Sequence, residues 1–272
     1  MCGIFGIFSS NHPQYSYSHA VMRHRGPDNF GEWSDEYVYL AHHRLSIIDL
    51  SDAATQPMHD ESGRYAMIYN GEVYNYQAIR DGLIQAGVSF STQSDSEVVL
   101  QAYITYGADA FSMFSGMFAI AIYDKHTHGL IAARDRFGIK PLLYSVQDNG
   151  VAFASELRAF TRSGWCEGTL EDTALNGLFK YGSVQQPLTI LKNVNALEPG
   201  NYLRISLSET GALNIQKQRY SSLYEDIESQ RIDYKTAVKT LREKLDLLLK
   251  EKNEILSKEK NFKGEWFSHV AL

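Results

Sequence analysis

MCGIFGIF at residues 1–8 decides how this chain is read. The stretch is apolar and rich in β-branched and aromatic residues, and no basic segment precedes it. It therefore reads as a buried strand rather than a secretory signal. Met before a small residue such as Cys is normally removed, and Cys2 would then carry a thiol and a free α-amine on one residue. That amine, with an ordinary pKa of about 7.7–8.0, can take the thiol proton directly or through a water. A buried strand would hold the pair rigid. Met-Cys alone is weak evidence for a nucleophile, so the case rests on the sequence that follows.

Outward from that strand, residues 1–160 read as dense α+β structure. EYVYLAHHRLSIIDL (36–50) alternates and then turns apolar, and RYAMIYNGEVYNY (64–76) alternates around an Asn-Gly pair. YNYQAIRDGLIQAG (74–87) reads as a helix, with Ile79, Leu83 and Ile84 on one face and Gly87 at its C-cap. SDSEVVLQAYITYG (94–107) reads as a second helix, capped by Ser94 or Asp95 and ended by Gly107, with Val98, Tyr103 and Ile104 inward. MFAIAIYD, GLIAARD, LLYSVQ and VAFASE read as strands, the last following a turn at Asn149-Gly150. LEDTALNGLFKYG (170–182) reads as a helix and ALEPGNYLRISL (196–207) as a turn feeding a strand. From Asp233 to Lys260 the chain is rich in Lys, Glu and Leu, with Val238, Leu241, Leu245 and Leu248 at helical spacing before Lys252 interrupts the stripe. Many antiparallel strands with helices between them point to sheets covered by helices.

Composition narrows the function classes. The chain has 272 residues, 44% hydrophobic and 21% charged, with a formal net charge of -6. An acidic balance argues against nucleic acid as partner, since phosphate binding needs a basic face. No apolar run approaches the roughly 20 residues that span a bilayer, so no membrane partner is expected. Two cysteines, Cys2 and Cys166, make no disulfide framework, and a reducing, cytoplasmic setting is expected. Cys166 stands among turn residues without a nearby basic group and reads as inert.

MCGIFGIF, RHRGPDN (23–29), HHRLSIIDL (42–50), QPM (56–58), YNGEVYNY (69–76), SDSE (94–97), FAIAIYD (118–124), RDRFGIKPL (134–142) and FASELRA (153–159) stand in this order. Together they closely resemble the glutaminase domain of asparagine synthetase, a class II glutamine amidotransferase of the N-terminal nucleophile hydrolase superfamily. The similarity runs to about residue 160 and continues more weakly through 181–203.

The resemblance implies an α+β fold: a four-layer sandwich of two stacked antiparallel sheets flanked by helices. It implies that Cys2 is the nucleophile, and that Asn70 (side-chain amide) and Gly71 (backbone N–H) form the oxyanion hole. Arg44 would hold the α-carboxylate of glutamine, which suits a planar guanidinium. Leu45, Ser46, Ile47 and Ile48 would shape the glutamine pocket, and Glu72 and Asp95 would face the substrate α-ammonium. Read singly, these residues have plainer roles. Asn70-Gly71 fits a type I′ hairpin turn, Arg44 a solvated strand residue, Asp95 a helix N-cap and Glu72 a surface charge. What favours the site is their joint occurrence behind Cys2.

Other candidates fit plainer roles. His126-Thr127-His128 reads as a surface hairpin without a third ligand, so no metal is expected. His42 and His43 alternate on a strand, so at most one faces the pocket. His24 lies in a loop that, in this family, helps close the glutamine site. Asp135, Arg136 and Lys140 read as charge partners bracing a turn.

The expected division is a glutaminase domain over 1–210 and a linker with an amphipathic helical appendage over 211–272. Asparagine synthetases carry a second domain with a Ser-Gly-Gly-x-Asp-Ser phosphate loop, and no such run occurs in these residues. The glutaminase half needs no cofactor; ATP and Mg belong to the synthetase part. The expected partners are glutamine and a synthetase domain or subunit that receives ammonia, with a homodimer also compatible. A piece of a longer protein, a free-standing subunit and a non-catalytic glutamine-binding regulatory module all remain open.

Overall fold

The computed structural model describes residues 1–10, 17, 19–46, 54–208, 210–222 and 232–259, with side chains to residue 250 in the last segment. It divides into two compact units, Met1–Asp226 and Ile227–Leu272.

The first unit is built on two antiparallel sheets of six strands each. Strands β1 (Gly3–Ser9), β2 (Asn29–Ser34) and β3 (Val38–Arg44) join β8 (Leu143–Gln147), β9 (Gly150–Ala154) and β10 (Asn195–Ala196) in the order β10-β8-β9-β1-β3-β2. The second sheet runs β12-β11-β7-β6-β5-β4, from β4 (Met58–His59), β5 (Tyr65–Val73), β6 (Gly116–Asp124), β7 (Gly129–Arg134), β11 (Asn201–Leu207) and β12 (Leu213–Arg219). β12 lies beyond residue 210 and pairs with β11 along its whole length.

Strand parity explains the layers. Every residue of β1 is buried, yet alternate side chains enter different cores. Ile4 and Phe8 meet Ala66, Ile68, Ala119, Ala121 and Leu203 between the sheets. Phe5 and Ile7 point the other way, to Ala159, Phe160, Trp165 and Leu191, where helix α4 (Leu157–Arg162) covers the first sheet. The outer face of the second sheet packs Met67, Tyr69, Ile120 and Ile122 against α1 (Tyr76–Gln85), α2 (Asp95–Tyr106) and α3 (Ala110–Met113). The result is helix, sheet, sheet, helix: the α+β sandwich expected. Helix α5 (Asp172–Tyr181) ends at Gly182 in the left-handed conformation, φ 75°.

Several local readings change. In α1, Ile79 and Leu83 are buried but Ile84 is half exposed, because it lies five positions beyond Ile79 and about 100° of rotation per residue carries it off the face. α2 is buried almost all round, Val98, Val99, Leu100 and Ala102 included, so its inward surface exceeds the three residues expected. Its N-cap is Ser94, whose hydroxyl accepts from the Glu97 N–H. The β8–β9 hairpin turns on Asp148-Asn149, with Gly150 already in the strand opposite Gln147. Asn70-Gly71 forms no hairpin: both residues lie inside β5, opposite Ala119 and Phe118 of β6. Residues 125–128 make the β6–β7 turn, where His128 Nδ1 meets the Tyr123 hydroxyl at 3.2 Å.

The second unit holds helix α6 (Tyr234–Glu259). Asp233 caps it, accepting from the Thr236 N–H at 3.1 Å. Among the described residues, no helix is long and apolar enough to cross a membrane.

Candidate active site

The site follows from the same parity. In β1 the even positions face the second sheet, so Cys2 does too. The β1–β3 register pairs Gly3 with His43, and one step further places Cys2 opposite Arg44. In β5, Asn70 and Glu72 share the parity of the inward Ala66 and Ile68. Cys2, His42, Arg44, Asn70 and Glu72 thus gather at one end of the gap between the sheets. A cleft opens there, and its walls include Cys2, Arg44, Leu45, Gly71, Glu72 and Asp95.

The Cys2 thiol donates to the Leu45 carbonyl at 3.7 Å and accepts the Leu45 N–H at 3.4 Å. Burial pushes this thiol up, while the Leu45 N–H, the terminal ammonium, Lys140 and Arg44 pull it back. Only the thiolate is a strong nucleophile, so these charges bear directly on reactivity. Arg25 fixes the backbone, donating through Nε to the Cys2 carbonyl at 2.9 Å and through Nη1 to Glu156 at 3.1 Å. His24 reaches the same Glu156 oxygen at 2.8 Å. Gly26 lets this loop lie flat on β3, since a Cβ there would stand 2.3 Å from the His43 carbonyl carbon. Asp28 then accepts the Ser46 N–H at 2.8 Å, so Ser46 braces the loop. Ile47 and Ile48 lie outside the described residues.

Asn70 is 1% exposed, and its Nδ2 is buried without a partner among the described residues. Such a donor is costly unless something fills it. Gly71 leaves no room for a side chain: a Cβ would stand 2.4 Å from the Met117 carbonyl oxygen and 2.6 Å from the Tyr69 ring. Asp95, the first residue of α2, accepts the Tyr69 hydroxyl at 2.7 Å and the Val73 N–H at 3.2 Å. Burial pushes its carboxyl up, and those hydrogen bonds pull it down. The cleft therefore carries an arginine on the β3 side and two carboxyl groups on the side of β5 and α2.

Sequence reasoning missed several of the walls. Ala54, Gln56, Tyr69, Ser94 and Ser96 also line the cleft, and of the two histidines it is His42 that faces it. Gln56 accepts the Tyr69 N–H at 2.6 Å and donates to Ser96 at 3.4 Å. The two histidines separate as alternation requires. His42 spans the sheets to the Tyr69 carbonyl at 3.1 Å, whereas His43 meets the Tyr17 hydroxyl at 2.9 Å on the other face. Because a carbonyl only accepts, His42 Nε2 carries the hydrogen and the buried Nδ1 is bare. Burial holds that ring neutral, from the ordinary 6.5 down to about 3. Lys140 is also near the site, its amine 3.3 Å from the Met1 sulfur; it is more than a brace of its own turn.

Comparison with known proteins agrees with this arrangement. A family model described as a glutamine amidotransferase domain matches residues 1–221. The chain is 37% identical over 214 residues to asparagine synthetase [glutamine-hydrolyzing] 1 of Bacillus subtilis, covering 75% of this chain and 33% of that protein. It is 35% identical over 226 residues to amidase chry2 of Gibberella zeae, covering 75% and 32%. The chain thus spans about a third of the length of these relatives. Among solved structures, the glutamine phosphoribosylpyrophosphate amidotransferase of B. subtilis superposes with a TM-score of 0.57 at 20% identity, over 81% of this chain and 49% of that one. The likeness to that structure is one of fold. By fold and by sequence, the chain belongs to the glutamine amidotransferase domain family, as a relative of the N-terminal part of the glutamine-hydrolysing asparagine synthetases.

Proposed function

We propose that this chain, once Met1 is removed, hydrolyses glutamine to glutamate and ammonia with Cys2 as nucleophile. The observation that carries the reading is the single cleft walled by Cys2, Arg44, Gly71, Glu72 and Asp95. A free amino acid is a zwitterion, and this cleft offers an arginine to its carboxylate and two carboxyl groups to its ammonium. The side-chain amide would then extend toward Cys2.

In this mechanism the Cys2 α-amine takes the thiol proton, and the thiolate attacks Cδ of glutamine. Negative charge gathers on the amide oxygen, stabilised by Asn70 Nδ2, which has no partner among the described residues, and the Gly71 N–H. The α-ammonium gives its proton to the departing nitrogen, which leaves as ammonia. A water, deprotonated by the same amine, attacks the glutamyl thioester. Glutamate leaves, and the thiol is restored. No metal enters these steps.

The relatives' names suggest where the ammonia goes. We infer a synthetase part, in the same or a separate chain, that consumes it in an ATP- and Mg-dependent amide synthesis on an acidic acceptor such as aspartate. Residues 1–221 carry the glutaminase, with the residues beyond leading toward that part, in a cytoplasmic protein. The competing reading is a module that binds glutamine without turning it over. Calorimetry with glutamine, paired with a glutamate assay on the Met1-processed chain, separates the two. Binding with turnover supports the enzyme; binding without turnover supports the module.

A further inference from the structure

Lys140 has a place in the fold that its turn does not account for. The turn is fixed by its neighbours. The buried Asp135 carboxylate accepts the N–H groups of Phe118, Phe137, Ile139 and Lys140 at 2.8–3.2 Å. Arg134 donates to the carbonyls of Gly138 at 2.7 Å and Lys140 at 2.8 Å. None of these bonds involves the Lys140 ammonium. That group belongs to a side chain in a residue only 5% exposed, and among the described residues its hydrogen-bond partner is the Met1 sulfur at 3.3 Å. A thioether is a weak acceptor, and a buried ammonium ordinarily requires a carboxylate or several oxygens. Removing Met1 would take even this partner away and leave Lys140 facing the new terminus.

Resting on the glutaminase reading, we propose that Lys140 is a positioning residue whose positive charge, set against the start of the chain, makes the mature Cys2 terminus reactive near neutral pH. The other charged groups around the terminus are already committed or lie elsewhere on the cleft. Arg25, on the 23–29 loop, is paired with Glu156. Asp28, on the same loop, holds the Ser46 N–H. Asp135, in the turn itself, is filled by backbone N–H groups. Arg44 and Glu72 line the cleft from β3 and β5, and His42 is neutral. Lys140 acts in the expected direction on the Cys2 thiol, which it lowers, and on the ammonium of Met1, the residue whose removal exposes the Cys2 amine. Its own amine is pulled down by burial and pulled back by Cys2 and Glu72. Thiol and amine titrate as a coupled pair, so one nearby cation moves the pair as a whole.

The test is the pH dependence of Cys2 alkylation by iodoacetamide, read by peptide mass spectrometry with Cys166 as internal control. It uses the full chain with Met1 removal verified by intact mass, and thermal melts verify folding of each variant. Lys140→Met should raise the alkylation midpoint by about 1 pH unit or more, the size expected for a charge at close range. Lys140→Arg, which keeps the charge, should stay near wild type. The acidic limb of kcat/KM for glutamine should move with the alkylation midpoint. Lys140→Gln gives a second neutral variant if the methionine one does not fold. A folded neutral variant with an unchanged midpoint overturns the proposal, as does an equal shift in the arginine variant. Alkylation needs no glutamine, so absence of turnover with a depressed wild-type midpoint would sink the glutaminase reading and leave the role of Lys140 standing.

Discussion

Asn70 shows how function is stored in one side chain. A buried amide donor without a partner costs about 1–3 kcal/mol of stability, and Asn70 Nδ2 has none among the described residues while Asn70 is 1% exposed. If that donor waits for an oxyanion, Asn70→Ala should lower kcat by about 10²–10³-fold. The melting temperature should change by only a few degrees, because loss of an unsatisfied group offsets the small cavity. Wild-type kcat in the variant would remove Asn70 from the oxyanion hole. His42 makes a different demand, since it stays neutral inside the fold but protonates below about 6.5 once unfolded. Between that value and about 3 the unfolded chain binds the extra proton, so stability falls as pH falls, by up to about 1.4 kcal/mol per pH unit from this residue. Urea unfolding at about pH 7 and about pH 5 should show His42→Gln losing less stability than wild type on acidification. Equal losses would assign the acid sensitivity elsewhere.

At the scale of elements, β5 is where local sequence and tertiary context disagree. Asn-Gly between alternating residues is a strong hairpin signal, but the pair lies mid-strand because β6 runs beside it from Asp124 to Gly116. The glycine is required by close approach rather than by a turn. Gly71→Ala forces a Cβ toward the Met117 carbonyl and the Tyr69 ring, and should cost about 1–3 kcal/mol, measured by urea unfolding. An unchanged midpoint would mean that β6 yields easily. Where the determinant was local, the sequence was legible. Ser94 and Gly107 bound α2, Gly182 ends α5, and parity separates His42 from His43. Where the determinant crosses from one element to another, it was not. Tyr69, Gln56 and Ser96 meet across β5, the segment before β4 and α2, and no spacing records that meeting. Lys140 was read inside its own turn for the same reason, since its amine contacts a residue 139 positions earlier.

For the whole molecule, two stacked sheets put the start of the chain at the open end of their shared core. A first strand buried on both faces gives a terminal cysteine a rigid anchor, and β3 and β5 bring arginine, amide and carboxylate groups to it. The arrangement accounts for a glutamine amidotransferase domain over residues 1–221 in a chain that spans about a third of its relatives. Its central claim is that Cys2 is the nucleophile. Glutamate release should be measured at equal concentrations of the Met1-processed wild type and Cys2→Ala, with melting curves showing both folded. The account predicts turnover in the first and none above the uncatalysed background in the second; equal glutamate release by the two proteins would contradict it.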